Sequence, residues 1–253
     1  MEKNRPIGVF DSGLGGISVL RELVKLLPRE RFLYYGDPAN APYGSRPTRE
    51  IQELSLAAAE YLLGQGCKAL VIACNTATAA AIELLRQTYP DTIIVGIEPA
   101  LKLACQRHKG GTVAVLATEL TLREQKFTRL MESCSRECTV IALPSPGLMD
   151  FVEQDRVGDE DCMAMLHREL DPWRGKLDAV VLGCTHYPFL AGCIRQVVGE
   201  GPELVDGGEG TARETLRRLR ERDLCSDGPG GVTLESSLAT AENLSRMARL
   251  LEE

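Results

Sequence analysis

The sequence predicts an α/β protein made of two pseudo-symmetric α/β lobes with mostly parallel sheets and an active site between them. Three observations lead there. Short apolar runs rich in β-branched residues alternate with helix-period stretches along almost the whole chain, the pattern of repeated βαβ units. One such run, Ala69-Leu70-Val71-Ile72-Ala73-Cys74-Asn75-Thr76, has a near copy in Ala179-Val180-Val181-Leu182-Gly183-Cys184-Thr185-His186. The stretch between the copies restarts the same rhythm, so the expected lobes are residues 1–97 with 207–253, and residues 98–206.

Ile7 to Phe10 is the first strand, apolar throughout as a strand buried on both faces should be. It runs into Asp11-Ser12-Gly13-Leu14-Gly15-Gly16, after which a helix period begins at Ile17 and stops at Pro28. Arg31 to Tyr35 is the second strand, closed by Gly36-Asp37-Pro38, and Asn40 to Pro47 is a turn-rich loop. Thr48 is the expected N-cap of a long helix ending near Gly64. The first cysteine strand precedes an Ala-rich helix from Thr76 to Thr88 and a strand from Ile93 to Ile97. In the second half, helices over Ala100–Gln106 and Thr121–Cys134 flank a strand over Thr112–Ala117, and Thr139–Leu143 is a further strand. Helix-forming sequence resumes at Gly147 and again over Asp159–Leu170. The second cysteine strand, Leu177 to Leu182, is followed by Pro188 in the first turn of a helix. Glu203 to Asp206 is a strand, Thr211 to Arg222 a charged helix and Gly228-Pro229-Gly230-Gly231 a break. A terminal helix, Ala239 to Leu251, is expected to return to the first lobe.

Composition narrows the function. Of 253 residues, 44% are hydrophobic and 26% charged, and no apolar run approaches the roughly 18 to 20 residues that span a bilayer. Met1 to Arg5 lead directly into a strand, so no signal peptide is expected, and the expected location is cytoplasmic. A net charge of −7 offers no footprint for nucleic acid or for a membrane surface. Nine cysteines without a Cys-x-x-Cys pair, beside three histidines, support neither a disulfide framework nor a structural zinc. Cys67, Cys105, Cys134, Cys138, Cys162, Cys193 and Cys225 read as small buried or helix-surface residues.

Cys74 and Cys184 differ because each ends a strand beside hydrogen-bonding residues, where an open α/β sheet places its ligands. A thiol has an ordinary pKa near about 8.5, and a helix N-terminus favours its thiolate; both cysteines are expected to precede a helix. His186 lies two residues beyond Cys184, and Asp11 ends the strand expected beside that of Cys74, so each thiol has an acid–base group at hand. One Cys–His pair would point to acyl transfer. Two matched thiols instead suit taking a proton from one face of a carbon and returning one to the other, which is racemisation. Ser12, Tyr43, Asn75, Thr76, Thr118, Thr185 and the Gly13 to Gly16 amides form an uncharged set for the carboxylates and ammonium of an amino acid. Glu153 and Asp37 are further acids for the ammonium or a catalytic group, though each by itself reads more often as a solvated surface carboxylate. Gly13-x-Gly15 invites a dinucleotide reading, but Ser18 takes the place of the third glycine and Asp11 sits where a pyrophosphate would come.

These residues fall into motifs that resemble the glutamate racemases of the cofactor-independent aspartate/glutamate racemase superfamily. The motifs are Gly8-Val9-Phe10-Asp11-Ser12-Gly13-Leu14-Gly15-Gly16, Tyr35-Gly36-Asp37 and Asn40-Ala41-Pro42-Tyr43-Gly44. They continue with Ala73-Cys74-Asn75-Thr76-Ala77, Gly183-Cys184-Thr185-His186-Tyr187-Pro188 and Val205-Asp206-Gly207-Gly208. The resemblance implies two lobes with glutamate between them, Cys74 and Cys184 on opposite faces of Cα, and supporting roles for Asp11, Glu153 and His186. It implies substrate contacts at Asp11, Ser12, Tyr43, Gly44, Asn75, Thr76, Thr118, Thr185 and His186, no cofactor, no metal, a homodimer, and D-glutamate destined for peptidoglycan. It also implies a strand near Val232, whose sequence is atypical, and Thr118-Glu119 departs from the Gly-Thr usual there. Three alternatives stay open: the same chemistry on aspartate, a non-catalytic amino-acid-binding protein, and a pyridoxal-phosphate enzyme. The last is disfavoured because none of the lysines ends a strand in a glycine-rich turn.

Overall fold

A computed structural model describes residues 2–252, without the side chain of Lys126. The chain divides into two compact units, one formed by Met1–Glu98 with Gly208–Glu253 and the other by Pro99–Gly207. Residues 1 and 253, the outer limits of the expected first lobe, lie outside the described residues.

The first unit begins with β1 (Ile7–Asp11), α1 (Ile17–Leu26), β2 (Arg31–Gly36), α2 (Thr48–Gly64), β3 (Ala69–Ile72), α3 (Asn75–Thr88) and β4 (Ile93–Gly96). The second contains α4 (Leu101–Arg107), β5 (Thr112–Ala117), α5 (Glu119–Arg123), α6 (Gln125–Cys134), β6 (Thr139–Pro144), α7 (Leu148–Glu153), α8 (Glu160–Leu170), β7 (Ala179–Leu182), α9 (Ala191–Val198) and β8 (Glu203–Asp206). The chain then returns to the first unit through α10 (Gly208–Glu221), β9 (Gly231–Ser236) and α11 (Ala241–Glu252).

Each unit holds one parallel sheet, ordered β4-β3-β1-β2-β9 in the first and β6-β5-β7-β8 in the second. Read from the other edge, the second sheet is β8-β7-β5-β6, so both units use the same order, with the cysteine strand beside the unit's first strand. β9 has no counterpart. Register fixes what this achieves: Phe10 pairs with Ile72, and Leu116 with Leu182, so the loops after β1 and β3, and after β5 and β7, leave their sheets side by side.

The second unit shows why its central strands, β7 and β5 from Val113 on, are apolar on every residue. Ala114, Leu116, Val180 and Leu182 face a core shared with Leu148, Val152, Leu166 and Ile194 of α7, α8 and α9. Val113, Val115, Ala179 and Val181 face the opposite core, with Leu101, Phe127 and Cys134 of α4 and α6. Side chains alternate across a strand, so covering both faces with helices demands continuous hydrophobicity.

Several expected boundaries are corrected. Helix α3 starts at Asn75, which makes Cys74 its N-cap, whereas α2 is capped by Pro47 and Thr48 is already helical. The helix expected over Thr121–Cys134 is two, parted at Glu124, whose backbone is extended. A 3-10 turn, Tyr187–Leu190, separates Cys184 from α9, so only Cys74 sits at the start of an α-helix. Cys105 and Cys138, read as bland buried residues, form a disulfide in the second unit.

What ties the returning C-terminal segment down is a buried ion pair. Lys68 Nζ lies 2.6 Å from Glu30 Oε2 and donates to the carbonyls of Leu224 (2.7 Å) and Lys3. Glu30 also accepts from the Ser226 amide at 2.8 Å. Such a pair is tolerable in the interior only because further hydrogen bonds satisfy it, as here.

Candidate active site

In the first unit the carboxyl ends of β1 and β3 deliver Asp11-Ser12 and Ala73-Cys74 next to each other, the Ala73 amide donating to the Phe10 carbonyl at 2.7 Å. Ser12 Oγ lies 3.3 Å from Cys74 Sγ, and the sulfur accepts from the Ala77 amide at 3.4 Å in the first turn of α3. Cys74 is 5% exposed and is not disulfide-bonded. Its sulfur thus meets a hydroxyl and the partial positive charge of a helix N-terminus.

Asp11 is fully buried, and its Oδ1 accepts from the Gly13 amide at 2.8 Å. Gly16 is required here, because a Cβ would lie 2.4 Å from that of Asp11. The Gly13 amide is therefore turned inward onto Asp11, which corrects the expectation that all the loop amides face a ligand. Asp37 is buried rather than solvated. Its Oδ2 accepts from Tyr43 Oη at 2.7 Å, and Asn40 Nδ2 donates to both oxygens at 3.0 and 3.1 Å. Burial, then the bond to Asp37, pushes the Tyr43 phenol well above its ordinary value, so it stays a neutral donor. Gly44 follows it in a 3-10 turn, half-buried. Asn75 and Thr76 are buried in the first turn of α3, and Asn75 Oδ1 has no hydrogen-bond partner. A buried acceptor left unpaired costs about 1–3 kcal/mol, so this oxygen marks a place where a donor belongs.

The second unit builds its thiol site differently. Gly183 lets β7 press against β5, since a Cβ there would meet the Leu116 carbonyl oxygen at 2.8 Å and the Ala117 Cβ at 2.9 Å. Cys184 follows, 8% exposed and outside any disulfide, with its Sγ 3.6 Å from His186 Nδ1. His186 Nε2 lies 2.7 Å from Oε1 of Glu153, the last residue of α7. Sulfur, imidazole and carboxylate thus form a line. Burial pulls the His186 pKa down, but the bonds to Cys184 and Glu153 and the charges on both outweigh it and hold the imidazole well above its ordinary value. A protonated imidazole at that distance stabilises negative charge on the sulfur.

Thr185 is buried beside this line. Thr118 ends β5 in the position that Ser12 occupies after β1, but its Oγ1 caps α5, accepting from the Thr121 amide at 3.2 Å and donating to Thr121 Oγ1 at 3.0 Å. The sequence-predicted residues thus gather within each unit: Asp11, Ser12, Tyr43, Asn75 and Thr76 around or near Cys74, and Glu153, Thr185 and His186 at Cys184. Sequence reasoning missed Asn40 as a partner of Asp37. Its three-residue spacing from an acid at a 3-10 N-terminus was the available signal. Among the described residues no group of three His, Cys, Asp or Glu is placed to hold a metal ion, and no helix is long and apolar enough to cross a membrane.

Comparison with known proteins places the chain in a family. The Asp/Glu/Hydantoin racemase family matches residues 7–215. A glutamate racemase of Clostridium perfringens is 46% identical over 253 residues, covering 99% of this chain and 97% of its own. The crystal structure of Francisella tularensis glutamate racemase in complex with D-glutamate superposes with a TM-score of 0.85 at 26% identity, over 99% of this chain and 95% of that one. The Escherichia coli glutamate racemase, in complex with L-glutamate and the activator UDP-MurNAc-Ala, superposes with a TM-score of 0.86 at 32% identity, over 98% and 94%. With the family matching most of its length and close full-length relatives of one kind, the chain belongs to the Asp/Glu/Hydantoin racemase family, on its glutamate racemase branch.

Proposed function

We propose that this enzyme interconverts L- and D-glutamate by 1,1-proton transfer at Cα, using Cys74 and Cys184 and no cofactor. The observation that carries the reading is the matched pair of strand-end thiols, each beside groups that stabilise a thiolate. One thiolate takes the Cα proton, forming an S–H bond and leaving the electron pair of the broken C–H bond on Cα. The other thiol gives its proton to the opposite face, and its S–H electrons stay on sulfur. The thiols exchange protonation states at each turnover, so the reverse reaction needs only the opposite starting state.

The difficulty is the weak acidity of a Cα–H next to a carboxylate that is already anionic. Enzymes lower barriers by about 8–23 kcal/mol, and here that must come from preorganised donors and the retained ammonium. Ser12, Thr76 and Thr185 hydroxyls are the donors, with Tyr43 held beside them by its bond to Asp37, and Asn75 Oδ1, lacking a partner, is the natural acceptor for the ammonium. Asp11 backs the Cys74 side, and Glu153 through His186 the Cys184 side. Gly44 and Thr118 line the substrate in this reading. The physiological role we assign is supply of D-glutamate for peptidoglycan, in the cytoplasm, by a homodimer.

Incubation with L-glutamate in D₂O, with no added cofactor, tests this. Early in the reaction, each molecule of D-glutamate formed should carry one deuterium at Cα. A flat signal with glutamate but exchange with aspartate would move the substrate, and no exchange with either, despite ligand-dependent thermal stabilisation, would leave a binding protein.

A further inference from the structure

The line Glu153–His186–Cys184 is assembled from two chain segments that the sheet does not join directly. His186 follows β7, Glu153 ends a helix entered from β6, and β5 lies between those strands. A short helix such as α7, six residues and about 9 Å long, can pivot about its entry point. Something must fix that point relative to His186.

We propose that Tyr187 is the positioning residue that does so, by donating its phenol to the Ser145 carbonyl and so setting the contact between Glu153 and His186. The bond is 2.9 Å long and both residues are almost fully buried. Each end is anchored. The Ser145 amide donates to Ala117 at the end of β5 (3.1 Å), and its hydroxyl to Leu143 (3.1 Å). The Tyr187 amide donates to the Cys184 carbonyl at 3.0 Å, so the phenol is rigidly linked to the thiol's own turn. Two residues beyond Ser145, Gly147 takes a left-handed φ of 89° and starts α7. The helix is thus held at its start by Tyr187 and at its end by His186, side chains adjacent in sequence. Burial keeps the Tyr187 phenol protonated, with Cys184, Glu169 of α8 and Asp150 of α7 as the negative groups facing it. Those facing His186 are Cys184, Glu153 and Asp150.

The test replaces Tyr187 by Phe, which keeps the ring and deletes only the hydroxyl. Its first readout is independent of catalysis: NMR titration of the three imidazoles, with His186 assigned by its own replacement. The Tyr187→Phe protein should titrate His186 at lower pH than wild type, in the direction of Glu153→Gln but by less. Adding Tyr187→Phe to Glu153→Gln should move it no further, because the phenol acts through Glu153. Gly147→Ala, strained at that φ and meeting Met165 Cε at 3.5 Å, disturbs the same entry point and should shift His186 in the same direction even if Tyr187→Phe proves unstable. The second readout rests on the racemase reading above. The kcat of Tyr187→Phe should fall about fivefold, the equivalent of one neutral hydrogen bond, and its alkaline limb should move to lower pH. An unchanged His186 titration, or an additive shift in the double variant, overturns the clamp. Absence of racemisation in the wild type would overturn the racemase reading, while the titration would still decide whether Tyr187 positions Glu153.

Discussion

The two units lay out their strands in one order and end the equivalent strand in a cysteine, yet they surround that cysteine with opposite kinds of group. In the first unit Cys74 caps a helix of 14 residues, so its sulfur meets a main-chain amide and the neutral Ser12 hydroxyl. In the second, the 3-10 turn displaces α9 from the thiol, and the charge comes from a side chain, His186, whose pKa is raised by its bonds to Cys184 itself and to Glu153. A helix N-terminus carries only about half a charge but no titratable proton, whereas an imidazolium carries a full charge that pH can remove. Duplication of a fold therefore did not duplicate its electrostatics. One thiol draws on a main-chain dipole, the other on an imidazole whose charge pH can remove.

The sharpest way to break this comparison is to remove each thiol. Cys74→Ala and Cys184→Ala should each lower racemisation by at least about 10³-fold, since each deletes an acid–base group, and equal loss is expected because both directions need both. Substantial activity in either would end the two-thiol scheme. Next come the supporting groups. His186→Asn should cost about 10²-fold and Ser12→Ala about tenfold, because a charged partner counts for more than a neutral one. Steady-state rates in both directions would show the order, and a reversed order would refute the contrast drawn above.

Packing differences follow. Gly183→Ala drives a Cβ into the Leu116 carbonyl and should destabilise by about 1–3 kcal/mol in denaturant titration. Gly192→Ala, nine residues on, meets nothing within 4 Å and should be neutral or stabilising. The smallest effect is on stability against pH. Because the His186 pKa is raised on folding, its contribution is fully present below the ordinary value of about 6.5 and is lost as pH rises through the folded value. The Tm advantage of wild type over His186→Gln should therefore be constant in acid and shrink as pH rises above about 6.5, whereas Ser12→Ala should differ from wild type by the same amount throughout. A wild-type advantage that grows with pH would mean that the imidazole is neutral in the fold.

Much of the site was legible because its residues are punctuation. Asp11, Ser12, Cys74 and Cys184 each interrupt or end an apolar run that has no other reason to stop. Glu153 was harder to find, since nothing local distinguishes it from a solvated carboxylate, and only the fold brings it to His186. The strand expected near Val232 is β9, but its first residue reads as part of a break. Gly228 to Gly231 looks like a break, yet Gly231 opens β9, which pairs with β2 from Arg31–Gly231 to Gly36–Ser236. Edge strands are less buried than central ones, and their apolar signal weakens accordingly.

By itself, then, the sequence determined the α/β class, the succession of strands and helices, and the two cysteines, because hydrophobic period and strand-end chemistry are local properties of the chain. Only the tertiary structure decided which cysteine caps a helix, that Asp37 is buried against Tyr43, and that Cys105 meets Cys138. It likewise decided that Lys68 pairs with Glu30 and that Glu153 reaches His186. Most of these join residues far apart in the chain, and how a helix begins depends on what packs beneath it. Such contacts exist only once strands have chosen their neighbours, and no periodicity in the chain encodes that choice.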